Sequence, residues 1–583
     1  MTLVLVLSAA LEVAEAQEQW RWDGIERVVV VADVHGAYAA FVELLQASGV
    51  IDAETNWSGQ DTHLVSLGDL LDRGPESRRA MDLVMRLQTQ AIAAGGYAHF
   101  VAGNHELMNM TGDLRYVSPA EFAAFVPEET ASMRAAALAD ITAAADASVA
   151  PEQLDSRYPP GYFAHRAAFA PQGRYGSWLL TQPAVVVVNG VAFVHGGLPG
   201  SVAESSLAEL NRGYLSKLSR YLELREQLAG AKLLPAHDMQ RDLDIASAAV
   251  ATAPADAAEL LEEFVALGNS PELGLDSPLW YRGSVYCKPM LEEPILEAAL
   301  AELGAERVMV GHTPTDNHRV QSHHDGRLVV LDTGMLASYY EGRPAAVLLD
   351  KGRMHVQYTD PAESASLELA DHEAYGLDGR ALREALEQGE ITVLERGEAA
   401  WLVAVEHSGV RFQARFFGAD AGTHELAADA IDDLLGTALV APTVARSIEG
   451  QTGALQLRYP DALSESQRLA QELGIGTWCP IEPQVQLMFA FDALTGNRGR
   501  HPDNILFADD LSNLVLTDHG RAFGTERTLG AGVDPSTFNM PARLVEALRA
   551  LDEPNLDATV GEWLSRRQIR GLLGRRDRLL AAR

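Results

Sequence analysis

Cysteine is nearly absent from this chain, whose 583 residues include only Cys287 and Cys479. The two lie far apart in the sequence and show no metal-ligand spacing, which excludes a zinc knuckle and a disulfide framework. Cysteine is among the most frequently buried residue types, so we expect two buried free thiols.

Positive charge is also scarce, because 46 Lys and Arg stand against 81 Asp and Glu, for a net charge of -35. Such a field opposes binding to nucleic acid and to anionic membrane surfaces. We therefore expect no nucleic-acid partner. A phosphorylated substrate would need local positive charge, from metal ions or from a few placed arginines.

Long apolar runs are missing as well, since no stretch approaches the ~20 residues of a membrane span. A shorter run, Met1–Leu11, precedes Ala14-Glu15-Ala16, which has the form of a secretory cleavage site. The pattern predicts a signal peptide over residues 1–16 and a periplasmic or secreted protein. No Lys or Arg precedes the run and Glu12 interrupts its end. A misassigned start or a frayed helix, with a cytoplasmic protein, is the alternative.

The N-terminal part contains three apolar β-type runs that each end at a polar turn, and helical patterns follow the first two. The turns are Asp33–Gly36, Gly68–Gly74 and Gly103–Glu106. In open α/β sheets, functional groups collect beyond the carboxyl ends of the strands. The sequence therefore predicts one site built from all three turns.

The side chains of these turns suit a divalent metal ion. Asp33, His35, Asp69 and Asn104 offer oxygen and imidazole donors of the kind that bind Mn, Fe or Zn. Two further histidines follow later apolar strands, and each alone is more often a structural residue. Their place in the series favours ligation; they are His195 and His312.

The ordered motifs Asp-x-His-Gly, Gly-Asp-x-x-Asp-Arg-Gly, Gly-Asn-His-Glu, His-Gly-Gly and Gly-His resemble the calcineurin-like metallophosphoesterases of the phosphoprotein phosphatase superfamily. The match covers about residues 25–358, with Ala32 where that family usually has glycine. Further stretches resemble its Shewanella-like protein phosphatase group: Met108-Asn109, Arg115-Tyr116, Pro278–Gly283 and Asp332–Met335. The resemblance implies an α/β fold, a four-layer α-β-β-α sandwich.

The resemblance also implies a centre of two divalent ions, Mn, Fe or Zn, bridged by Asp69. One ion would be held by Asp33, His35 and Asp69, and the other by Asp69, Asn104, His195 and His312. A hydroxide bridging the ions would attack phosphorus. The remaining roles fall to four residues: His105 as the acid for the leaving oxygen, Asp72 as the group that orients it, and Arg73 and Arg282 as phosphate ligands.

The domain organisation follows from composition. Residues 119–166 and 201–269 are helical insertions between the motif strands, and we expect them to wall the cleft and set substrate choice. The phosphoesterase domain should span residues 20–360, an acidic linker residues 361–378, and a second, α+β domain residues 379–583.

Within about residues 390–530, a predicted helix that begins at Glu425, the loop Asn497–Asn504 and a predicted strand that leads to Asp518 follow one another. This order resembles atypical kinases of the HipA and secreted-kinase type. The family's catalytic Asp is replaced by Gly499, and the strand expected to carry the nucleotide-binding Lys offers Arg415. The resemblance implies a pseudokinase-like regulatory or substrate-binding module with a nucleotide or metal at Glu425, Asn504 and Asp518. An inactive remnant and a working kinase are the alternatives.

The sequence thus predicts a two-domain, metal-dependent phosphoesterase. We expect a phosphoprotein phosphatase acting on phosphoserine, phosphothreonine or phosphotyrosine. One alternative is hydrolysis of small phosphoesters or dinucleoside polyphosphates. The other is a binding protein in which the kinase-like module is the functional part.

Overall fold

The computed structural model describes residues 19–144, 154, 156–237, 239–360, 364–367, 372–375, 377–459 and 461–582. The predicted signal peptide and part of the predicted acidic linker lie outside them. Among the helices described, none is long and apolar enough to cross a membrane. The chain forms two compact units, the first Met1–Tyr281 with Leu296–Leu369, and the second Arg282–Ile295 with Ala370–Arg583.

The first unit contains two six-stranded sheets, with strand orders β1-β5-β6-β7-β9-β8 and β12-β11-β10-β2-β3-β4. Their strands are β1 Arg21–Trp22, β2 Arg27–Val31, β3 His63–Ser66, β4 Tyr97–Phe100, β5 Val185–Val188, β6 Val191–Val194, β7 Arg307–Val310, β8 Gln321–His323, β9 Leu328–Val330, β10 Ala345–Asp350, β11 Arg353–Tyr358 and β12 Ala365–Ser366.

Helices follow or interrupt these strands, and among those given next α11 and the first half of α12 belong to the second unit. In chain order they are α1 Tyr38–Ala47, α2 Ser77–Ala94, α3 Asn104–Thr111, α4 Pro119–Ala123, α5 Ala131–Ala144, α6 Tyr162–Phe169, α7 Arg174–Leu179, α8 Leu207–Gly230, α9 Asp242–Ala249, α10 Ala255–Gly268, α11 Gly283–Tyr286, α12 Pro289–Glu302 and α13 Ala337–Tyr340. Helices α4 to α6 and α8 to α10 occupy the two predicted insertions.

The two sheets face each other across one apolar core. Val30 and Val65 from one sheet pack in the same cluster as Val186, Phe193 and Met309 from the other. All four valines of β2 from Val28 onward are fully buried, as expected of a strand covered on both faces. Helix α2 lies against β4 and α8 against β5. The mixed α/β fold and its paired sheets agree with the sequence prediction.

The strand pairing brings the polar turns together. β2, β3 and β4 are parallel, with Val31 opposite Ser66 and Ser66 opposite Phe100. In the other sheet β6 and β7 are parallel, and Val194 lies opposite Val310. Because parallel strands in register end at the same edge, each sheet presents its polar turns side by side.

The second unit has a five-stranded antiparallel sheet in the order β15-β16-β17-β19-β18 and a three-stranded sheet β20-β21-β22. The remaining strands are β13 His372–Ala374, β14 Leu377–Asp378, β15 Glu390–Arg396, β16 Trp401–His407, β17 Val410–Gly418, β18 Thr443–Ile448, β19 Gln451–Leu457, β20 Leu463–Ser464, β21 Ile505–Ala508 and β22 Asn513–Leu516. The remaining helices are α14 Gly379–Gln388, α15 Ala419–Leu435, α16 Glu465–Ala470, α17 Ile481–Thr495, α18 Ala542–Ala550, α19 Glu553–Val560 and α20 Arg566–Ala581.

The prediction of two free thiols was wrong, because Cys287 and Cys479 form a disulfide with Cα atoms 5.3 Å apart. The partners are separated by 192 residues, so no local spacing indicates the pairing. Cys287 lies in the segment 282–295, which belongs to the second unit. That segment is held there further by Lys288, whose ammonium donates to the carbonyl of Ala438, and by Met290 in the apolar core.

We predict that breaking this disulfide destabilises the second unit. We expect a loss of about 2 to 5 kcal/mol of unfolding free energy in each of three variants, Cys287→Ser, Cys479→Ser and the double variant. Without the disulfide, the unfolded chain has more conformational entropy, which favours unfolding. Urea unfolding with and without reductant measures the loss. The double variant should lose no more than either single variant. Equal stability of the oxidised wild type and the double variant would contradict the prediction.

A pair of histidines is buried in the first unit, away from the polar turns. The ring nitrogens His99 Nε2 and His63 Nδ1 are 2.9 Å apart, so one ring donates its N–H to the other. Trp22 and Tyr97 pack against both rings. Burial lowers the pKa of His63 to about 4, and burial together with His63 holds the pKa of His99 well below its usual value.

Both pKa values lie below the ~6.5 of an unfolded histidine, so the unfolded chain takes up more protons below that pH. Their contribution to stability is complete above pH ~6.5 and is lost toward pH ~4, at up to about 1.4 kcal/mol per pH unit for each ring. We predict that His99→Gln flattens the decline in unfolding free energy, measured by urea titration from pH 7.5 to 4.5. The exposed His355→Gln serves as control. An unchanged slope in His99→Gln would exclude this role.

Candidate metal centre

Backbone hydrogen bonds join the first two polar turns. The amides of Val34 and His35 both donate to the carbonyl of Asp69 at 2.9 Å, and the amide of Gly36 donates to Leu70. His35 and Asp69 adopt positive φ angles of 47° and 52°. Non-glycine residues are uncommon in this region of backbone space. The neighbouring turn therefore holds them in place.

The second and third turns are joined by Glu106. Its buried carboxylate accepts hydrogen bonds from the amides of Asp69, Leu70 and Gly103 at 2.9, 2.9 and 3.0 Å. Gly68 lies so close to the third turn that a Cβ there would be 2.6 Å from the nitrogen of Gly103. Burial and the charge of Asp69 raise the pKa of Glu106 to about 8.

Asp69 lies at the centre of the predicted ligands and belongs to two groups whose donor atoms approach within 4.8 Å of one another. One group is His35, Asp69 and His105, and the other is Asp69, His195 and His312. Asp69 Oδ2 is 3.7 Å from His35 Nε2, and Asp69 Oδ1 is 3.3 Å from His195 Nε2. A different carboxylate oxygen thus faces each group.

The other predicted ligands lie around Asp69. Asp33 Oδ2 is 3.6 Å from His35 Nε2, and Asp33 Oδ1 accepts a hydrogen bond from the backbone amide of His312. Asn104 Oδ1 is 2.8 Å from His195 Nε2, whose other ring nitrogen lies 2.6 Å from the carbonyl of Leu67. The structure thus brings together all six residues assigned from the sequence to metal binding: Asp33, His35, Asp69, Asn104, His195 and His312.

The electrostatics of this cluster suit cations. Burial alone would raise the pKa of Asp69, but His195 and His105 outweigh it and hold that pKa well below its usual value. Burial opposes a charged His195, yet Asp69 and Asp33 raise its pKa to about 9. The two buried carboxylates thus attract positive charge strongly. With imidazole and amide donors beside them, they fit divalent ions such as Mn, Fe or Zn.

His105 is held by a chain of hydrogen bonds. Its Nδ1 lies 2.6 Å from Asp72 Oδ2, and Asn109 Nδ2 donates to Asp72 Oδ1 at 2.9 Å. Its Nε2 lies 3.8 Å from Asp69 Oδ2. The amide of Asp72 donates to Ser77 Oγ at 3.1 Å. The pair assigned from the sequence to proton transfer is therefore formed, with Asn109 as a further support.

Glu121 is a residue near this pair whose position the sequence did not reveal. It lies in the short helix α4 of the first insertion, is 1% exposed, and has a pKa well above its usual value because of burial and the charge of Asp72. Only the pattern Ser118-Pro119-Ala120-Glu121, a helix start, marks it in the sequence. A buried carboxyl group thus lies beside the Asp72 turn.

Arg73 lies beside the cluster, with Nη1 2.5 Å from His35 Nε2. The rings of Tyr116, Tyr339 and Tyr340 surround its guanidinium, with centroids 5.2, 5.3 and 5.2 Å away. The sequence prediction included Arg73 but not the role of these tyrosines. Their rings hold the guanidinium by cation–π contact.

Arg282, the second predicted phosphate ligand, lies in the second unit at the start of the segment 282–295. Its guanidinium stacks over the ring of Trp478 at 5.0 Å from the centroid. Pairing with an aromatic residue 196 positions away cannot be read from local sequence. Its contact with phosphate stays a prediction.

The three residues predicted to bind nucleotide or metal in the second unit differ in their surroundings. The carboxylate of Glu425 accepts hydrogen bonds from the amide of His519 and from Gln456 Nε2. It also faces the ring of His519. Asn504 Nδ2 donates to the carbonyl of Gly499, and its Oδ1 accepts the amide of His501. Asp518 is exposed, with φ of 58°.

Residues 26–316 match the sequence profile of the calcineurin-like phosphoesterases. They form a calcineurin-like metallophosphoesterase domain, and the protein is a metal-dependent phosphoester hydrolase.

Two relatives come from a narrower group. The chain is 31% identical to Shewanella-like protein phosphatase 2 of Arabidopsis thaliana over 210 residues, which are 34% of this chain and 54% of that protein. It is 23% identical to Shewanella-like protein phosphatase 1 of Plasmodium berghei over 327 residues, 56% of this chain and 70% of that protein. A solved structure of a cold-active protein-tyrosine phosphatase from a psychrophilic Shewanella matches with TM-score 0.41 and 23% identity, covering 60% of this chain and 84% of that one.

We predict that Asn109→Ala lowers kcat about 10- to 100-fold by loosening Asp72 and with it His105. Metal content should stay unchanged. Since the family resemblance assigns His105 to protonation of the leaving oxygen, an alkyl phosphate should be affected more than p-nitrophenyl phosphate, whose leaving group needs less protonation. The exposed Asn269→Ala is the matched control. Equal losses on both substrates would show that Asn109 does not act through the acid.

Proposed function

We propose that this protein is a phosphoprotein phosphatase with two metal ions, hydrolysing phosphoserine, phosphothreonine or phosphotyrosine. The observation that carries the proposal is the position of Asp69, whose Oδ2 faces His35 and whose Oδ1 faces His195, so that each oxygen is directed at a different ligand. The names of the Shewanella-like relatives support a protein substrate.

The metal-binding residues divide around Asp69. Asp33, His35 and Asp69 would hold one divalent ion, and Asp69, Asn104, His195 and His312 the other. When bound, such ions activate water for attack on phosphorus and neutralise charge on the phosphoryl group.

His105 supplies the proton. Its Nδ1–H is held by Asp72, so Nε2 faces the cluster, 3.8 Å from Asp69 Oδ2. A proton on Nε2 can be transferred to the departing alkoxide or phenoxide, while the hydrogen bond to Asp72 keeps the ring oriented. Asn109 fixes the second oxygen of Asp72.

Arg73 binds the phosphoryl oxygens that do not react. Its fork of N–H donors matches phosphate geometry, and the protein's net charge of -35 makes a local cation necessary. Tyr116 also lies 5.1 Å from the His105 ring, and Tyr340 lies 5.8 Å from the His35 ring. These rings offer an apolar rim for the substrate side chain, including the ring of phosphotyrosine. We assign Arg282 to phosphate binding on the family resemblance.

For the second unit we propose a kinase-like fold without kinase activity that binds a metal-nucleotide through Asn504 and Asp518. The five-stranded antiparallel sheet with helix α15 against it supports the kinase-like class. Gly499 has no side chain to accept a hydroxyl proton, which phosphoryl transfer requires. Glu425 holds the loop after β22 through His519 and serves a positioning role.

We propose further that the protein is exported. The disulfide between Cys287 and Cys479 supports this, because disulfides persist in oxidising compartments and are rare in the cytosol.

The test measures metal content and hydrolysis together. We predict that Asp69→Asn lowers the content of both ions and reduces kcat about 100-fold or more, because a shared ligand is lost. His312→Asn should remove one ion preferentially, and the exposed Asp23→Asn should change neither quantity. Hydrolysis by Asp69→Asn at the wild-type rate would overturn the mechanism.

A substrate panel identifies the class. Peptides with phosphoserine, phosphothreonine and phosphotyrosine are compared with diadenosine tetraphosphate and small alkyl phosphates. Higher kcat/KM for the peptides supports the proposal. Higher kcat/KM for diadenosine tetraphosphate or small phosphates would assign the protein to the alternative class.

A further inference from the structure

The two helical insertions of the first unit enclose a cavity of about 410 Å³. Its walls come from α5 and α6 of the first insertion, from α8 of the second, and from the end of α3. None of the six predicted metal ligands lines it. Small-molecule sites are concave, mostly apolar clefts of about 300 to 1,000 Å³ that contain a few polar groups. This cavity has the size of such a site.

Apolar side chains make up most of the cavity lining. The largest are three methionines, one phenylalanine and one leucine: Met110, Met133, Met239, Phe163 and Leu222. Alanines of α5 and α6 leave room between them. Methionine side chains are flexible and polarizable, so they adapt to ligands of irregular shape. The lining therefore favours a ligand with an apolar body.

Two arginines bring positive charge to this apolar cavity. Arg225 of α8 is 8% exposed and donates to Asp242 Oδ2 at 3.0 Å. Arg166 of α6 forms no ion pair with a residue that the structure describes. Burial and the charge of Arg225 lower the pKa of Arg166 to about 10, against opposing effects of Tyr162 and Asp242. Since the hydrogen bond of Asp242 goes to Arg225, Arg166 is the arginine whose charge is less fully compensated.

The contacts that Arg166 does make explain why it lies in the cavity wall. Its Nη1 donates to the carbonyl of Asn109, and its Nη2 donates to the carbonyl of Met110 at 3.3 Å. These carbonyls lie in the last turn of α3 and have no partner within the helix. They are neutral groups, so they hold the guanidinium without cancelling its charge. A guanidinium has five N–H donors, and further donors remain for a ligand.

The acidic side chains that line the cavity lie in a different environment. Asp140 and Glu226 are exposed, and Asp140 Oδ2 is 3.7 Å from His237 Nε2. Solvent and salt screen exposed charges, whereas partly buried charges are screened much less. A partly buried charge also costs free energy unless it is paired. The charge of Arg166 therefore decides the sign of the ligand, which is negative.

We propose that this cavity binds an amphipathic organic anion, a carboxylate attached to an apolar body such as a medium-length alkyl chain. The carboxylate pairs with Arg166, whose planar fork of N–H donors matches it. The apolar body packs against Met133, Phe163 and Leu222. The proposal does not depend on the phosphatase activity or on bound metal ions.

The experiment measures the binding of octanoate, octan-1-ol and octylammonium to the full-length protein by calorimetry. The three probes carry the same apolar chain and differ in the charge of the head group. Octanoate should bind about tenfold or more tightly than either of the others, because only its carboxylate pairs with Arg166. Arg166→Gln should remove this preference, and Arg166→Lys should retain part of it.

A second variant tests the cavity without changing Arg166. Ala136 lines the cavity from α5, so Ala136→Leu fills the space and should weaken octanoate binding about tenfold or more. Ala135→Leu is the matched control, since Ala135 is an exposed alanine of the same helix outside the lining. It should change binding less than twofold. Both variants leave the contacts of Arg166 with α3 intact, so they decide the proposal even where Arg166→Gln fails to fold.

Each outcome bears on the proposal. A preference for octanoate, together with weaker binding in Ala136→Leu, supports it. Absence of octanoate binding overturns it, as does equal binding of the three probes. Unchanged octanoate affinity in Ala136→Leu also overturns it, because the carboxylate then binds elsewhere, such as at the metal centre.

Discussion

The hydrogen bonds of Glu106 hold the site of the first unit together. One buried carboxylate accepts the amides of Asp69 and Leu70 from one turn and of Gly103 from the next. Asp69 has a positive φ, which is unfavourable for a residue with a side chain unless its surroundings fix it. Glu106 lies in the first turn of α3, so the start of that helix fixes Asp69 and also sets Asn104 and His105 beside it.

The same arrangement explains why much of this unit could be predicted from sequence. Strands such as β2, with buried valines throughout, are local patterns, and so are the polar turns that end them. Parallel pairing then brings the turns to one edge without further information. Asp33, Asp69 and His195 could thus be assigned from their own neighbours in the chain.

Features that depend on distant pairs could not be predicted in this way. Cys287 and Cys479 are 192 positions apart, and their sequence context predicts free thiols instead of a disulfide. Arg282 stands in a phosphatase-like motif but stacks on Trp478 in the second unit. Glu121 and Tyr340 are ordinary residues in the sequence. Their positions follow only from where the first insertion and helix α13, which comes after β9, return to the site.

The acidic composition of this protein constrains both units in the same way, although their chemistry differs. With 35 more acidic than basic residues, its overall field repels phosphorylated ligands, so every phosphate site must be built from local cations. In the first unit Arg73 is free of carboxylate partners among the described hydrogen bonds and is held by tyrosines instead, which leaves its charge available. In the second unit Glu425 accepts a hydrogen bond from the amide of His519 and faces its ring, and it also acts electrostatically on Arg415. In the first unit, aromatic rings thus take the positions at which a carboxylate would have cancelled the charge of Arg73.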